Sequence, residues 1–270
     1  YAGLKDRRAV TTQWFTVPAR RGGVQDWAGR VGEGYEILEA HRHTRKLPRG
    51  ALAGNRFTLV LRGFTGSREA LERRVAEIAV EGVPNYFGPQ RFGRELGNLA
   101  VLRGEPVRGE RGFAYSAARS LIFNAVLAER LAAGHWNMLL PGERANLEGS
   151  NSTFRVEAID ETLRQRLAAL DIHPTGPLWG EGESGVTGEV AELESSVASR
   201  YPALLELLRA DRLASARRPL RMVVRDLALR WLPEADACEL QFSLRGGSFA
   251  TTVVRELVHL DDATGAEEHA

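Results

Sequence analysis

Lysine is nearly absent from this chain. Lys5 and Lys46 are the only two, so arginine carries almost all of the positive charge. Arginine suits planar, bidentate contacts to phosphate, although genome composition produces the same bias. Cysteine is scarcer still. Cys238 stands alone, which excludes an internal disulfide and a multi-cysteine metal site. It lies in an alternating apolar run, the setting of a core residue rather than a reactive thiol. Net charge is also close to missing: 36 basic residues face 35 acidic ones, leaving +1. Any nucleic-acid surface must therefore come from uneven distribution rather than from overall charge. No segment reaches the ~18 consecutive apolar residues of a membrane span, and no signal peptide is visible, so the cytoplasm is the expected compartment. No internal repeat is evident. The first residue is Tyr1, not methionine, and the chain opens abruptly. An N-terminal portion of a longer parent protein is expected to precede it.

What is present is ample apolar material. Hydrophobic residues make up 43% of 270, enough for one large domain or two ordinary ones and incompatible with global disorder.

The opening stretch, Tyr1-Ala2-Gly3-Leu4-Lys5-Asp6-Arg7-Arg8, sets one carboxylate among three cations, and the β-prone run from Ala9 to Phe15 follows. The spacing predicts a strand, a tight charged turn and a second strand. Neighbouring cations favour the ionised form of Asp6, and an ionised, oriented carboxylate can act as a nucleophile. Read alone, the same residues fit a solvated surface turn better, since turns of mixed charge are common.

Further along, residues 41–50 form the densest basic run, with Arg42, Arg45, Lys46 and Arg49 beside His41 and His43. This reads equally as a phosphate-tracking loop or a solvated turn. Residues 35–41 read as a short strand. Residues 55–62 alternate cleanly, placing Phe57, Leu59 and Leu61 on one face of a half-buried strand. Ser67 is placed to N-cap a helix to about Val80, with Leu71, Val75, Ile78 and Ala79 inward and Gly82 as its stop. Residues 83–93 are rich in aromatics, glycine and proline. They are neither helix nor strand in period, and fit either base stacking or a structured loop at a domain junction. A long helix is expected over 116–133, with Ala118, Leu121, Ile122, Ala125 and Leu131 inward. A helical stretch interrupted at Pro202 is expected over 190–217, strands over 222–231 and 239–244, and a last helix from about Ser248. Strands gather at the two ends and helices in the middle. The expected fold class is α+β, with a mixed, mainly antiparallel sheet domain at 1–81 and 224–270, interrupted by a largely helical insertion at 82–223.

Five blocks resemble one family in the same order. The opening motif with Asp6 is similar to the active-site motif of the tRNA pseudouridine synthase D (TruD) family. The Gly54-Asn55-Arg56-Phe57 strand, the segment from Gly82 to Gly93, the helix beginning Ser116-Ala117-Ala118-Arg119, and the segment from Gly247 to Leu257 resemble further blocks of it. The likeness is weakest over 135–220. It implies a pseudouridine synthase catalytic domain carrying an insertion domain. The implied substrate is a uridine of tRNA, typically position 13, and Asp6 is the implied catalytic residue. Asn55 and Phe249 take the places of substrate-contacting residues, and Phe57, in the Asn55 motif, is a further candidate substrate contact. Family members also carry an N-terminal phenylalanine and a basic residue near the catalytic aspartate that have no counterpart here. The alternative is therefore an RNA-binding but weakly active or inactive fragment.

The isomerisation changes no oxidation state and needs no group donor, so no cofactor or metal is expected. Arg7, Arg8, Arg42, Arg45, Lys46 and Arg49 are the candidate phosphate contacts, and Arg8 is alternatively a direct partner of Asp6. The expected partner is tRNA, with no membrane, no protein partner and a monomeric state. A carboxylate-dependent hydrolase using Asp6 with His41 or His43 is the rival reading. It needs a general acid–base pair, and no second carboxylate or histidine belongs to a recognisable motif.

Overall fold

The structure is a computed structural model and describes residues 1–3, 5, 9–18, 27–48, 50–105, 111–233 and 236–260, with only the backbone at 94. It divides into a small unit, Tyr1–Asn55, and a large one, Arg56–Ala270.

In the small unit the regular structure is an antiparallel pair of two-residue strands, β1 (Val31–Gly32) and β2 (Tyr35–Glu36). The strand expected over 35–41 thus ends at Glu36. The second strand expected after Asp6 does not form: residues 10–18 are irregular, with Val10, Trp14, Phe15 and Val17 exposed. A lone extended segment has no stability without a hydrogen-bonded neighbour, and β-propensity alone does not supply one. Instead this segment is tied to residues 41–50. The Leu47 N–H donates to Thr16 Oγ1 at 3.3 Å, the Gly50 N–H donates to the Ala2 carbonyl at 2.6 Å, and Trp14 and His41 rings lie 5.9 Å apart.

The strand β3 (Gly54–Leu61) alternates exposed and half-buried along its length, as its period-two sequence requires. It leads to α1 (Arg68–Glu81). Ser67 caps this helix by accepting from the Ala70 N–H at 3.1 Å, and the Gly82 N–H closes it on the Ile78 carbonyl at 2.9 Å. Leu71 and Ile78 are buried, whereas Ala79 is exposed, one position outside the buried stripe.

The chain continues through β4 (Val83–Pro84), two 3-10 segments at Pro89–Phe92 and Arg94–Arg103, and α2 (Arg111–Ala132). Next come β5 (Arg144–Leu147), β6 (Thr153–Arg155), α3 (Glu161–Ala168), β7 (Ile172–Leu178), α4 (Gly188–Ser199) and α5 (Pro202–Ala210). The described chain ends with β8 (Ala216–Pro219), β9 (Arg221–Met222), β10 (Arg225–Trp231), β11 (Cys238–Arg245) and α6 (Ala250–Leu257).

These elements form three sheets, ordered β10-β11-β3, β4-β9 and β6-β5-β7-β8. The pairings of β10 with β11, of β4 with β9 and within the four-stranded sheet are antiparallel. Two hydrophobic cores divide most of the apolar material. One joins Ile78 of α1, Val83, Met222, alternate residues of β11 (Leu240, Phe242 and Leu244) and Val253 of α6, with Phe57, Leu59 and Leu61 packed against it. Cys238 is buried at the start of β11, as its apolar alternation predicts. The other core surrounds α2, with Phe87, Phe92, Ala118, Ile122, Phe123, Leu127, Leu204 and Leu208.

Three expectations need correcting. The long helix begins at Arg111, not Ser116, and Leu131 is exposed while Phe123, Val126 and Leu127 are buried. The helix expected to Arg217 stops at Ala210. Residues 216–219 are strand because they pair with β7, Gly176 opposite Arg218 and Pro177 opposite Arg217. The expected strand over 222–231 is two strands, β9 and β10, in different sheets.

Candidate functional site

Asp6, Arg7, Arg8 and Arg49 lie outside the described residues. The neighbour of Asp6 in sequence is well placed. Lys5 Nζ donates to Asn55 Oδ1. An ammonium has three donors and no acceptor, so the Asn55 amide must present its oxygen to Lys5 and its NH₂ elsewhere. Asn55 is half-buried, so its side chain is held on one side and accessible on the other.

Arg42, Arg45 and Lys46 are exposed, as a phosphate-tracking loop or a solvated turn alike would have them. His41 pairs with Glu39 at 3.1 Å, both about two-thirds exposed. The Arg45 N–H donates to His43 Nδ1 at 3.0 Å. These are local contacts in water, not the buried acid–base pair that the hydrolase reading needs.

In the large unit, Phe57 packs on Phe242 with ring centroids 5.5 Å apart, within the sheet core. It supports its strand from behind. Phe249 directly precedes α6 and is half-buried, leaning on the helical core. Gly247, at φ +84, makes the turn that delivers it. A Cβ at Gly88 would come within 3.9 Å of the Phe249 ring, so the 83–93 loop and the start of α6 are close neighbours.

Between them opens a cleft of about 250 Å³, lined by Tyr86, Phe87, Gly88, Thr251, Thr252, Arg255 and Glu256. Its charges are partly balanced. Arg74 reaches Glu256 at 2.8 Å, whereas Arg255 is exposed. Burial, and then the Glu256 charge, raise the Tyr86 phenol, so it stays a neutral donor.

The loop itself is fixed. Asn124 accepts from the Phe87 N–H at 2.9 Å and donates back to the Phe87 carbonyl at 3.0 Å. Asn85 donates to the Pro219 carbonyl at 2.8 Å, and its N–H donates to the Leu220 carbonyl at 2.8 Å. Phe87 and Phe92 are buried in the helical core. The loop is a structured junction, and its aromatics are packing groups rather than free stacking platforms. Sequence reasoning did not find the cleft, because its walls come from segments about 160 residues apart whose meeting leaves no local periodicity.

Comparison with known proteins places these features in a family. The model of tRNA pseudouridine synthase D (TruD) matches residues 1–108 and 113–257. A tRNA pseudouridine synthase D of Nitrosococcus oceani is 46% identical over 273 residues, covering 98% of this chain and 76% of that protein. One from Methylococcus capsulatus is 46% identical over 268 residues, covering 97% of this chain and 75% of that protein. Among solved structures, a putative TruD of Methanosarcina mazei aligns with a TM-score of 0.62 at 20% identity, covering 85% of this chain and 75% of that one. That likeness bears on the fold and agrees with the α+β architecture. Among the described residues, no helix is long and apolar enough to cross a membrane. With the family model running from Tyr1 to Leu257 but for 109–112, and relatives this similar along nearly the whole chain, the protein belongs to the tRNA pseudouridine synthase D family.

Proposed function

We propose that this protein is a tRNA pseudouridine synthase, an isomerase that converts a uridine of tRNA, at position 13, to pseudouridine with Asp6 as its nucleophile. The observation that carries this reading is the family match, which includes residue 6 and extends along nearly the whole chain. The relatives named for this activity span it at 46% identity.

The chemistry breaks the N1–C1′ glycosidic bond and joins C5 to C1′. N1 takes a proton and C5 gives one up. An ionised nucleophile, a base held while detached, and exclusion of water are required. The Asp6 carboxylate supplies the first, whether it attacks C1′, promotes loss of the 2′ proton or adds to uracil C6. Asn55 supports recognition of uracil. Its NH₂ donates to O4, while its oxygen, already oriented by Lys5, accepts from N3–H. Cytosine reverses that pattern and leaves the amide mispaired. Phe249 provides the aromatic face for the base, and Phe57 backs the Asn55 strand from the core. Arg7, Arg8, Arg42, Arg45, Lys46 and Arg49 contact RNA phosphates.

On this reading residues 1–81 with 224–270 are the catalytic domain and 82–223 an insertion. Support comes from the two cores, one drawn chiefly from 57–83 and 222–257 and the other from 86–220. The pairing of Val83–Pro84 with Arg221–Met222 lies at the junction. The protein acts as a monomer in the cytoplasm, where its substrate is. Incubation with tRNA carrying tritium at uridine C5 tests the proposal. The label is released, and the product maps to position 13. Binding of tRNA without release would leave an RNA-binding chain in place of an enzyme.

A further inference from the structure

Two arginines of the large unit with enclosed side chains have carboxylate partners, and two half-buried ones do not. Arg130 meets Glu143 at 3.3 Å and Arg217 meets Glu194 at 2.6 Å, both pairs almost fully enclosed. Arg91 and Arg218 have no such compensation. The Arg218 guanidinium carbon lies 4.2 Å from the centroid of the Phe87 ring, and that of Arg91 lies 5.3 Å from the same centroid. Arg91 donates to Ser116 Oγ at 2.9 Å and Arg218 to Asn85 Oδ1 at 2.6 Å, both neutral acceptors. Among the described residues, no carboxylate pairs with either, and the Nε–H of each is buried without an acceptor.

Two cations around one ring repel each other, and burying them raises the cost. Burial, and then the charge of Arg91, push Arg218 down to about 10, still cationic at neutral pH. Both Arg91 and Arg218 retain some exposure. Guanidinium charge that meets no carboxylate and keeps some exposure matches the oxygens of a phosphodiester, which planar forks bind in pairs.

We propose that Arg91 and Arg218 together hold one phosphate of the bound RNA, at a site on the 83–93 loop. The proposal rests on the reading of tRNA as substrate. Both guanidiniums lie near the Phe87 ring, and Asn85 and Asn124 hold the loop that carries it.

The test uses the full chain with ¹⁵N-labelled arginine, its Arg91 and Arg218 Nε–Hε resonances assigned through Arg91→Lys and Arg218→Lys. Inorganic phosphate and tRNA are titrated separately at matched ionic strength. Both ligands are expected to move both resonances. In parallel, Arg91→Gln is expected to reduce the slope of log affinity for tRNA against log salt by about 0.7–0.9, the value of one phosphate contact. Arg91→Lys is expected to keep the slope, and the double variant Arg91→Gln/Arg218→Gln to reduce it no further than the single one. Movement with phosphate in a protein that fails to bind tRNA would support the anion site and overturn the tRNA reading. Binding of tRNA that leaves both resonances and the slope unchanged would overturn the site, whatever free phosphate does. So would stillness with both ligands.

Discussion

Lys5 and Asn55, 50 positions apart in sequence, are joined by a hydrogen bond from the ammonium to the amide oxygen. The lysine borders the proposed nucleophile, and the asparagine is the proposed reader of uracil. One contact therefore orients the reading group beside the residue that precedes the reacting one.

Changing the amide should cost catalysis. Asn55→Ala and Asn55→Asp are both expected to lower kcat/KM by roughly 10–100-fold, the equivalent of one or two hydrogen bonds to the base. Asn55→Asp keeps an acceptor for Lys5 but has no donor for uracil O4, so it separates orientation from recognition. Activity at the unaltered level in Asn55→Asp would remove Asn55 from base recognition.

Phe249 has two duties that one pair of variants can separate. It leans on the helical core, and it is the proposed stacking face. Base stacking on an aromatic is worth about 1–3 kcal/mol. Phe249→Leu retains most apolar packing and should lose ~10-fold or more in kcat/KM with little change in Tm. Phe249→Tyr should retain activity. A Leu variant as active as the Tyr variant would leave Phe249 a packing residue alone.

Acid should act on Glu148. Its carboxylate is held down to about 2 by a hydrogen bond from His173 at 3.0 Å and, against the opposing effect of burial, by Arg225 at 2.8 Å. Arg221 donates to His173 Nδ1 at 3.0 Å, which fixes the ring proton on Nε2, facing Glu148. A depressed folded pKa stabilises above the unfolded value of about 4.5 and loses that contribution as pH falls toward 2. The loss should be roughly 1–3 kcal/mol after allowance for partial exposure. Denaturant midpoints at pH 7 and pH 3 should differ less in Glu148→Gln than in the unaltered protein. Equal differences would show that the network carries no acid sensitivity.

Much of this fold could be read from pattern, and the exceptions have physical causes. β3, α1 and β11 announce themselves through period and, for α1, through Ser67 and Gly82 at its ends. β7 does not. Pro174 and Pro177 lack the N–H that a strand normally uses, and Gly176 interrupts the apolar run, yet the strand is paired on both sides and almost wholly buried. β8 hides for a related reason. Arg217 and Arg218 resemble the end of a surface helix until Glu194 and Phe87 take up their guanidiniums. The candidate site was legible only through the ordered family motifs. By residue chemistry alone Asp6 fits a surface turn, Asn55 a strand edge and Phe249 a core position. The paired guanidiniums at Phe87 come from residues 127 positions apart, and no local pattern brings them together.

Gly82 should tolerate no side chain. It sits at φ +75 beyond the last turn of α1, and a Cβ there would come within 2.6 Å of the Met222 carbonyl oxygen. Backbone strain and a clash with backbone combine. Gly82→Ala is expected to lower stability by about 2 kcal/mol or more in chemical denaturation. A midpoint within experimental error of the unaltered protein would contradict the close approach of α1's end to β9.

The most direct test of the account is tritium release from uridine-labelled tRNA by the unaltered chain and by Asp6→Asn, with tRNA affinity measured on both. Loss of the nucleophile with affinity retained is the predicted pattern, release falling by ~10⁴-fold or more. Release by Asp6→Asn at a rate near that of the unaltered chain would contradict the assignment of Asp6 as nucleophile.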